Sequence, residues 1–400
     1  MAVQDIAAPP VVRKPAVLSL LYHPQVRGIA FQVIVSVAIV VLVIWIVDNT
    51  IDNLRRANIA SGFGFLETRS GFEISQKLVS YSSDSSYGRA LLVGLLNTLL
   101  VAVLGIVFAS ILGFITGIAR LSKNWLISRI ALVYVEIFRN VPILLQLLFW
   151  YKAVLSVLPG PRQGLMLPFN SNLSNRGLLM PRPLAGPEFS LTIFAVLLAI
   201  GIVIALAVWA RRRQMATGQR FKTFRVGAAV LIGLPLAVFL ATGSPLSFEI
   251  PELRGFNFVG GFAMKPEFIA LLLGLTLYTA TYIAEIVRAG ILAVTHGQTE
   301  AASSLGLRPG ETLRLVVIPQ AMRVIIPPLT SQYLNLTKNS SLAVAIGYPD
   351  LVSVFSGTVL NQTGQAIEVI SITMLIYLTI SLATALFMNW FNRRFALVER

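Results

Sequence analysis

Apolar residues gather into long runs along almost the whole chain, broken by shorter polar stretches. The runs lie near 29–47, 90–119, 130–157, 189–209, 226–242, 267–292, 324–347 and 369–391. The stretch from Ile29 to Val47 carries no charge and is long enough to cross a hydrocarbon core of about 30 Å. The run at 226–242 is short and the one at 324–347 is unusually polar. The pattern predicts an all-α integral membrane protein with about eight transmembrane helices. Between the runs lie a polar segment, 48–88, and a proline- and glycine-rich one, 158–188. No short-period repeat is present, and the only biased tract is the basic run Arg211–Arg213.

Composition agrees with this reading. The 400 residues are 56% hydrophobic and 12% charged, with mean hydropathy +0.78. A soluble domain carries about 25% charge. The absence of cysteine excludes disulfides and thiolate metal sites, and two histidines, His23 and His296, make a poor basis for a metal centre. The net charge of +15 is accounted for by loop cations that set orientation, without nucleic acid as a partner. The first 28 residues are polar, hold Arg13, Lys14 and Arg27, and lack a small-residue cleavage site, which suits a retained signal-anchor. With the N-terminus inside, the inner segments hold twice as many lysines and arginines as the outer ones. This bias predicts both termini in the cytoplasm and 48–88 and 158–188 outside.

The segment THGQTEAASSLGLRPGETLRLVVIP, residues 295–319, follows the sixth run. Thr299 suits an N-cap for a short helix beginning at Glu300, whose carboxylate complements the positive helix end. Gly306 sits where a left-handed C-cap is wanted. Pro309 fits the first position of a second helix with Glu311 in its first turn, and Pro319 is expected to interrupt that helix. Two short helices with a sharp elbow result. An ordinary amphipathic connecting loop has the same physics.

The spacing of Glu300-Ala301-Ala302, Gly306 and Val316-Val317-Ile318-Pro319 resembles the EAA loop of ABC importer permeases, with valine and isoleucine in place of the usual Ile-x-Leu-Pro ending. Further segments resemble the polar amino-acid branch of that family. They are Tyr282-Ile-Ala-Glu285-Ile-Val-Arg288-Ala-Gly290-Ile, Phe138-Arg139-Asn-Val-Pro142-Ile-Leu-Leu-Gln146, and Lys338-Asn-Ser-Ser-Leu342. Together these cover about half of the chain, roughly 90–157 and 267–391. The long first external loop and the inserted fourth and fifth runs resemble the Q-type subunit of general L-amino-acid permeases. The resemblance implies a type I ABC importer permease fold in which Glu300, Ala301, Ala302, Gly306 and Pro319 couple to a separate ATPase. It also implies a second, related permease subunit and a periplasmic amino-acid-binding protein. ATP and Mg would sit on the ATPase, with no cofactor on this chain.

Ionisable groups inside spans are costly and default to functional hypotheses. Glu136 and Arg139, and Glu285 and Arg288, are each three apart with the acid first, which favours local ion pairs. Each pair is either self-neutralising or part of a transport path. Pro142 leaves the carbonyl of Phe138 unpaired and open to a polar partner or ligand. Arg89 and Lys152 suit snorkelling anchors at span ends. Pro327-Pro328 is expected to mark the start of the seventh span, placing Lys338 about 16 Å along it. That helix cannot face lipid, because unpaired polar groups there cost several kcal/mol. Arg139, Gln146, Glu285, Asn335, Lys338, Asn339, Ser340 and Ser341 are therefore candidates to line a translocation path or meet substrate. A buried helix held by interhelical hydrogen bonds is the alternative.

No lysine follows a glycine, so the chain carries no P-loop, and no nucleophile–base constellation is present. The chain reads as a non-enzymatic permease subunit of an ATP-driven importer moving L-amino acids across the bacterial inner membrane by alternating access. The competing readings are a scaffold half of a heterodimeric permease that binds no substrate, and an ion-coupled secondary transporter. The expected organisation is a cytoplasmic tail (1–28), a first helix (29–47) and a periplasmic segment (48–88). There follow a first part of the permease core (89–157), an insertion with two extra helices (158–266), a second part of the core (267–392) and a cytoplasmic tail (393–400).

Overall fold

The computed structural model describes residues 24–56, 61–219, 221–255 and 257–395. Arg13, Lys14, His23, Arg220 and Arg400, with most of the two expected tails, lie outside the described residues. Among the described residues seven helices are long and apolar enough to cross a membrane, and a sharply bent pair makes an eighth crossing possible. These are α1 (Pro24–Arg56), α2 (Tyr87–Arg120), the pair α3 (Trp125–Asn140) and α4 (Ile143–Leu155), α5 (Phe189–Thr217), α6 (Thr223–Ala241) and α7 (Pro266–Leu292). After the short α8 (His296–Ser304) come α9 (Pro309–Ile346), a π-helical segment α10 (Val352–Val359) and α11 (Ala366–Phe395). Every apolar run in the sequence thus becomes a helix, and most extend several residues beyond it. Helix α1 buries none of its apolar window within the chain, as a lipid-facing helix requires.

The third run is not one straight span. Helices α3 and α4 meet at an angle of 104°. Pro142 has no N–H to continue the ladder, and it holds the preceding Val141 in extended conformation, φ −97° and ψ 129°. The freed carbonyls of Phe138 and Val141 are taken by one side chain: Gln146 Nε2 donates to both, at 2.7 and 2.9 Å.

The core forms where α2 packs along α7, with α9 beside them. Gly113 and Gly117, four apart on α2, permit the approach. A Cβ on Gly113 would lie 2.6 Å from Ile283, and one on Gly117 would lie 2.7 Å from the carbonyl oxygen of Ala284. Close backbone approach at paired small residues is how membrane helices gain packing without a hydrophobic drive.

The insertion contains structure that the hydropathy pattern did not predict. Among the described residues eight strands of three or four residues flank α5 and α6: β1 (Leu165–Leu167), β2 (Ser171–Ser174), β3 (Gly177–Met180), β4 (Arg182–Ala185), β5 (Leu246–Glu249), β6 (Glu252–Arg254), β7 (Asn257–Val259) and β8 (Phe262–Met264). The order β1-β2-β3-β8 makes one antiparallel sheet, while β4-β5 and β6-β7 make two-stranded ribbons. Strands entering the α5–α6 hairpin thus pair with strands leaving it, as in Met180 with Phe262 and Arg182 with Glu249. The two helices pack chiefly on each other.

Candidate functional site

The loop after α7 folds into the expected elbow with shifted boundaries. Helix α8 begins at His296 after the extended residue Thr295, four residues before the expected start. Thr299 therefore does not cap it. Its hydroxyl donates back to the carbonyl of His296 at 2.6 Å, and Glu300 lies inside the helix, 2.9 Å from His296 Nδ1. Gly306 has φ +77°. The N–H of Gly306 donates to Ser303 O and that of Leu307 to Ala302 O, a Schellman termination that fixes the turn. Pro309 opens the next helix, and Glu311 accepts from the N–H of Arg308 at 3.0 Å. Ala302 is buried, whereas Glu300, Ala301 and Leu305 face outward, Leu305 with 81% exposure.

Pro319 does not end the second helix, and Pro327-Pro328 does not begin a new one. Helix α9 runs from Pro309 to Ile346. A π turn over Leu313–Val317 lengthens the hydrogen-bond spacing just before Pro319, which has no N–H to offer. Both later prolines lie within the helix, whose face at Ile325 and Ile326 is fully packed in the core. Packing outweighs the local proline penalty there. Lys338 consequently stands eight residues from the end of the span and about 15 Å inside it.

On α9, Leu329, Leu336, Thr337 and Ser340 are buried, while Ser331, Asn335 and Lys338 form an exposed polar stripe at helical spacing. Asn339 and Ser341 are half-buried beside it. The two serines serve their own helix, Ser340 Oγ donating to Thr337 O and Ser341 Oγ to Lys338 O, each at 2.7 Å. Glu136 and Arg139 do not pair. Glu136 accepts from Asn140 Nδ2 at 3.2 Å, one turn on, and Arg139 is exposed. Gln146 is spent on the bend described above. Arg89 ties α2 to the preceding loop through Ser80, at 3.0 Å, and Lys152 lies over the Tyr151 ring at 5.2 Å.

Glu285 and Arg288 do pair, with Arg288 Nη2 to Glu285 Oε1 at 2.6 Å. Sequence spacing missed the third member: Arg120, the last residue of α2, pairs with the other carboxylate oxygen. One acid thus bridges two guanidinium groups across the α2–α7 packing, just before α8.

A second unforeseen cluster surrounds Asp350, which lies in the loop after α9 and is fully buried. Its carboxylate accepts from the N–H groups of Val352 and Ser353, at 3.2 and 2.9 Å, and from the Tyr377 hydroxyl at 3.3 Å. Asn97 Nδ2 donates to Pro349 O, and Thr98 Oγ1 accepts from the Leu351 N–H, both at 2.9 Å. Burial pushes the Asp350 carboxyl up to about 7, against the pull of those amides and the tyrosine. Its signal was local: an aspartate just ahead of a helical run can accept from the run's first free N–H groups, as Asp350 does from Val352 and Ser353.

Residues 218–397 match the family of binding-protein-dependent transport system inner membrane components. The chain is 56% identical over 382 residues to the general L-amino acid transport system permease protein AapQ of Rhizobium johnstonii, covering 96% of this chain and 95% of that protein. It is 55% identical to YhdX of Escherichia coli, a putative amino-acid ABC transporter permease, over 94% of this chain and 96% of the relative. BztB of Rhodobacter capsulatus, a glutamate/glutamine/aspartate/asparagine transport system permease protein, is 43% identical over 95% and 96% of the two chains.

Proposed function

The chain belongs to the inner-membrane permease family of binding-protein-dependent ABC importers, in its polar amino-acid branch, and from that premise we propose that it carries L-amino acids into the cytoplasm as one half of an ATP-driven permease pair. It is a multi-pass membrane protein and an importer permease. In the proposed assembly it sits in the inner membrane with both termini inside. A related second permease, ATPase subunits holding ATP and Mg, and a periplasmic binding protein complete the machine. The broad amino-acid substrate rests on the likeness to AapQ, a general L-amino acid permease, and to BztB, a glutamate/glutamine/aspartate/asparagine permease.

The observation that carries the coupling role is the α8 elbow. Ala302 anchors it, a Schellman turn at Gly306 fixes its angle, and Glu300, Ala301 and Leu305 point away from the chain. Such a knob suits docking into a cleft on another subunit. It is continuous with α9, whose polar stripe at Asn335 and Lys338 is the proposed wall of the path. Movement of the ATPase pair would thus reach that stripe along one helix.

Glu300→Lys in the assembled complex tests the coupling role. Uptake should fall at least tenfold while the spans keep their thermal stability and basal ATP hydrolysis persists. Uptake at the wild-type rate would overturn it.

A further inference from the structure

The α5–α6 hairpin has a basic tip to which the proposed transport role assigns nothing. Between Glu188 and Glu249 the sequence has no acid at all, yet it holds Arg211, Arg212, Arg213, Arg220, Lys222 and Arg225. Among the described residues none of these cations is paired with a carboxylate. The uncharged stretch Phe189–Ala210 measures about 33 Å at 1.5 Å per residue, matching a hydrocarbon core of about 30 Å. Arg211–Arg213 therefore emerge at headgroup level. The tip is also built from interfacial aromatics. Trp209 meets Phe221 edge-on with ring centroids 5.3 Å apart, and the Arg213 guanidinium lies 5.4 Å from the Trp209 ring. Phe224 is 87% exposed, as a ring inserted at a membrane interface would be.

Below the tip runs an open groove of about 600 Å³, lined by Ile202 of α5 and by Arg225, Val226, Ala229, Val230, Gly233 and Leu234 of α6. Arg225 is its one charged lining residue, and Gly233 stands eight residues, or about 12 Å, further into the apolar part of α6. A cation over an apolar trough matches an anion attached to a hydrocarbon chain. A free anion would leave the trough unfilled, and an acidic protein surface has no chain to lay in it.

We propose that this hairpin is a binding site for anionic phospholipid, with the phosphate held at Arg225, one acyl chain along the Ala229–Gly233 groove, and Arg211–Arg213 concentrating such lipid around it. Polybasic segments at a span end attract anionic headgroups in this way. The site anchors the inserted helices in the leaflet where they turn, independently of what the permease core carries.

The test uses the intact transporter complex, equilibrated in bilayers of equal phosphatidylglycerol and phosphatidylcholine and then extracted, with retained lipid counted by mass spectrometry. Wild-type complex should retain phosphatidylglycerol severalfold over phosphatidylcholine. Gly233→Leu fills the groove without meeting any atom within 4 Å at its Cβ and removes no charge. It should abolish most of that excess. Arg225→Gln should do the same, and Arg225→Lys should retain part of it. Equal retention of the two lipids by the wild type, or an excess unchanged in both Gly233→Leu and Arg225→Gln, would overturn the site. Displacement by inorganic phosphate alone would overturn it in favour of a free-anion site.

Discussion

Arg120 and Glu285, 165 residues apart in sequence, join the end of α2 to α7 through a carboxylate that Arg288 shares. Arg120 is the most enclosed of the three side chains, at 12% exposure against 30% for Glu285 and 32% for Arg288. Removing the shared acid leaves two guanidinium groups facing each other with no counter-charge. Glu285→Gln should destabilise the helix pair by about 1–3 kcal/mol, discounted from a fully buried pair because the group is partly exposed. Thermal unfolding of the purified complex reads this. Arg288→Gln, which leaves the Arg120 contact intact, should cost less; a larger loss for Arg288→Gln would show that the link between helices is not the dominant one.

Gln146 closes the bend made by Pro142, so its loss should be read as structural. Gln146→Leu orphans the carbonyls of Phe138 and Val141 and should cost about 1–3 kcal/mol for each one that water does not reach. The expected result is faster proteolysis at the bend and a lower unfolding temperature, with the apparent KM for uptake unchanged in the surviving complex. A raised KM with unaltered stability would return Gln146 to the path.

The spans were legible because twenty apolar residues in a row admit few structures, and Pro142 announced the weakness of the third run. What stayed hidden depended on partners distant in sequence. Spacing of three residues suggested both Glu136–Arg139 and Glu285–Arg288, but only the second pair forms, where Arg120 arrives from another helix. Pro327 and Pro328 read as a helix start, yet core packing at Ile325 and Ile326 carries α9 straight through them. The strands of the insertion are too short for alternation to register, and the cross-chain pairing that makes them strands is invisible locally. The elbow was legible as Gly306 and Pro309, whose backbone demands are intrinsic, while its first turn moved to His296.

Gly117 has no room for a side chain. Its Cβ position lies 2.7 Å from the Ala284 carbonyl oxygen and 2.8 Å from Val287 Cβ. Backbone cannot move aside as a flexible side chain can. Gly117→Leu should therefore push α2 off α7 at a cost of about 1–3 kcal/mol or more. The yield of assembled complex in size-exclusion chromatography should drop several-fold. Gly233→Leu, at a position with open space, provides the control and should assemble normally.

Asp350 gives stability a definite pH dependence. Its folded-state value of about 7 lies above the usual carboxylate range, so between about pH 4 and 7 the folded protein holds a proton that the unfolded chain has released. Stability from this group is therefore full at low pH and lost as pH rises towards 7, by up to roughly 1.4 kcal/mol per unit. The unfolding temperature should fall between pH 5 and 7 and level off above it, and Asp350→Asn should flatten that slope while keeping a neutral acceptor for the Ser353 N–H. An Asp350→Asn slope equal to wild type would assign the pH dependence to other groups.

Lys338 offers the most direct test of the proposed transport path. Its neighbours Leu336, Thr337 and Ser340 are buried, so the helix is held by the opposite face and the lysine is not needed for packing. With Ser331 and Asn335 it forms a polar stripe directed away from this chain, well inside the span. A charge in that position requires water, a partner subunit or a substrate carboxylate. Lys338→Met keeps the stem length and removes the ammonium. If the stripe lines the path, uptake should fall at least tenfold with assembly and unfolding temperature intact, and Lys338→Arg should recover part of it. If uptake is unchanged and the second permease dissociates more readily, the stripe is a contact between subunits, and this chain is the scaffold half of the pair.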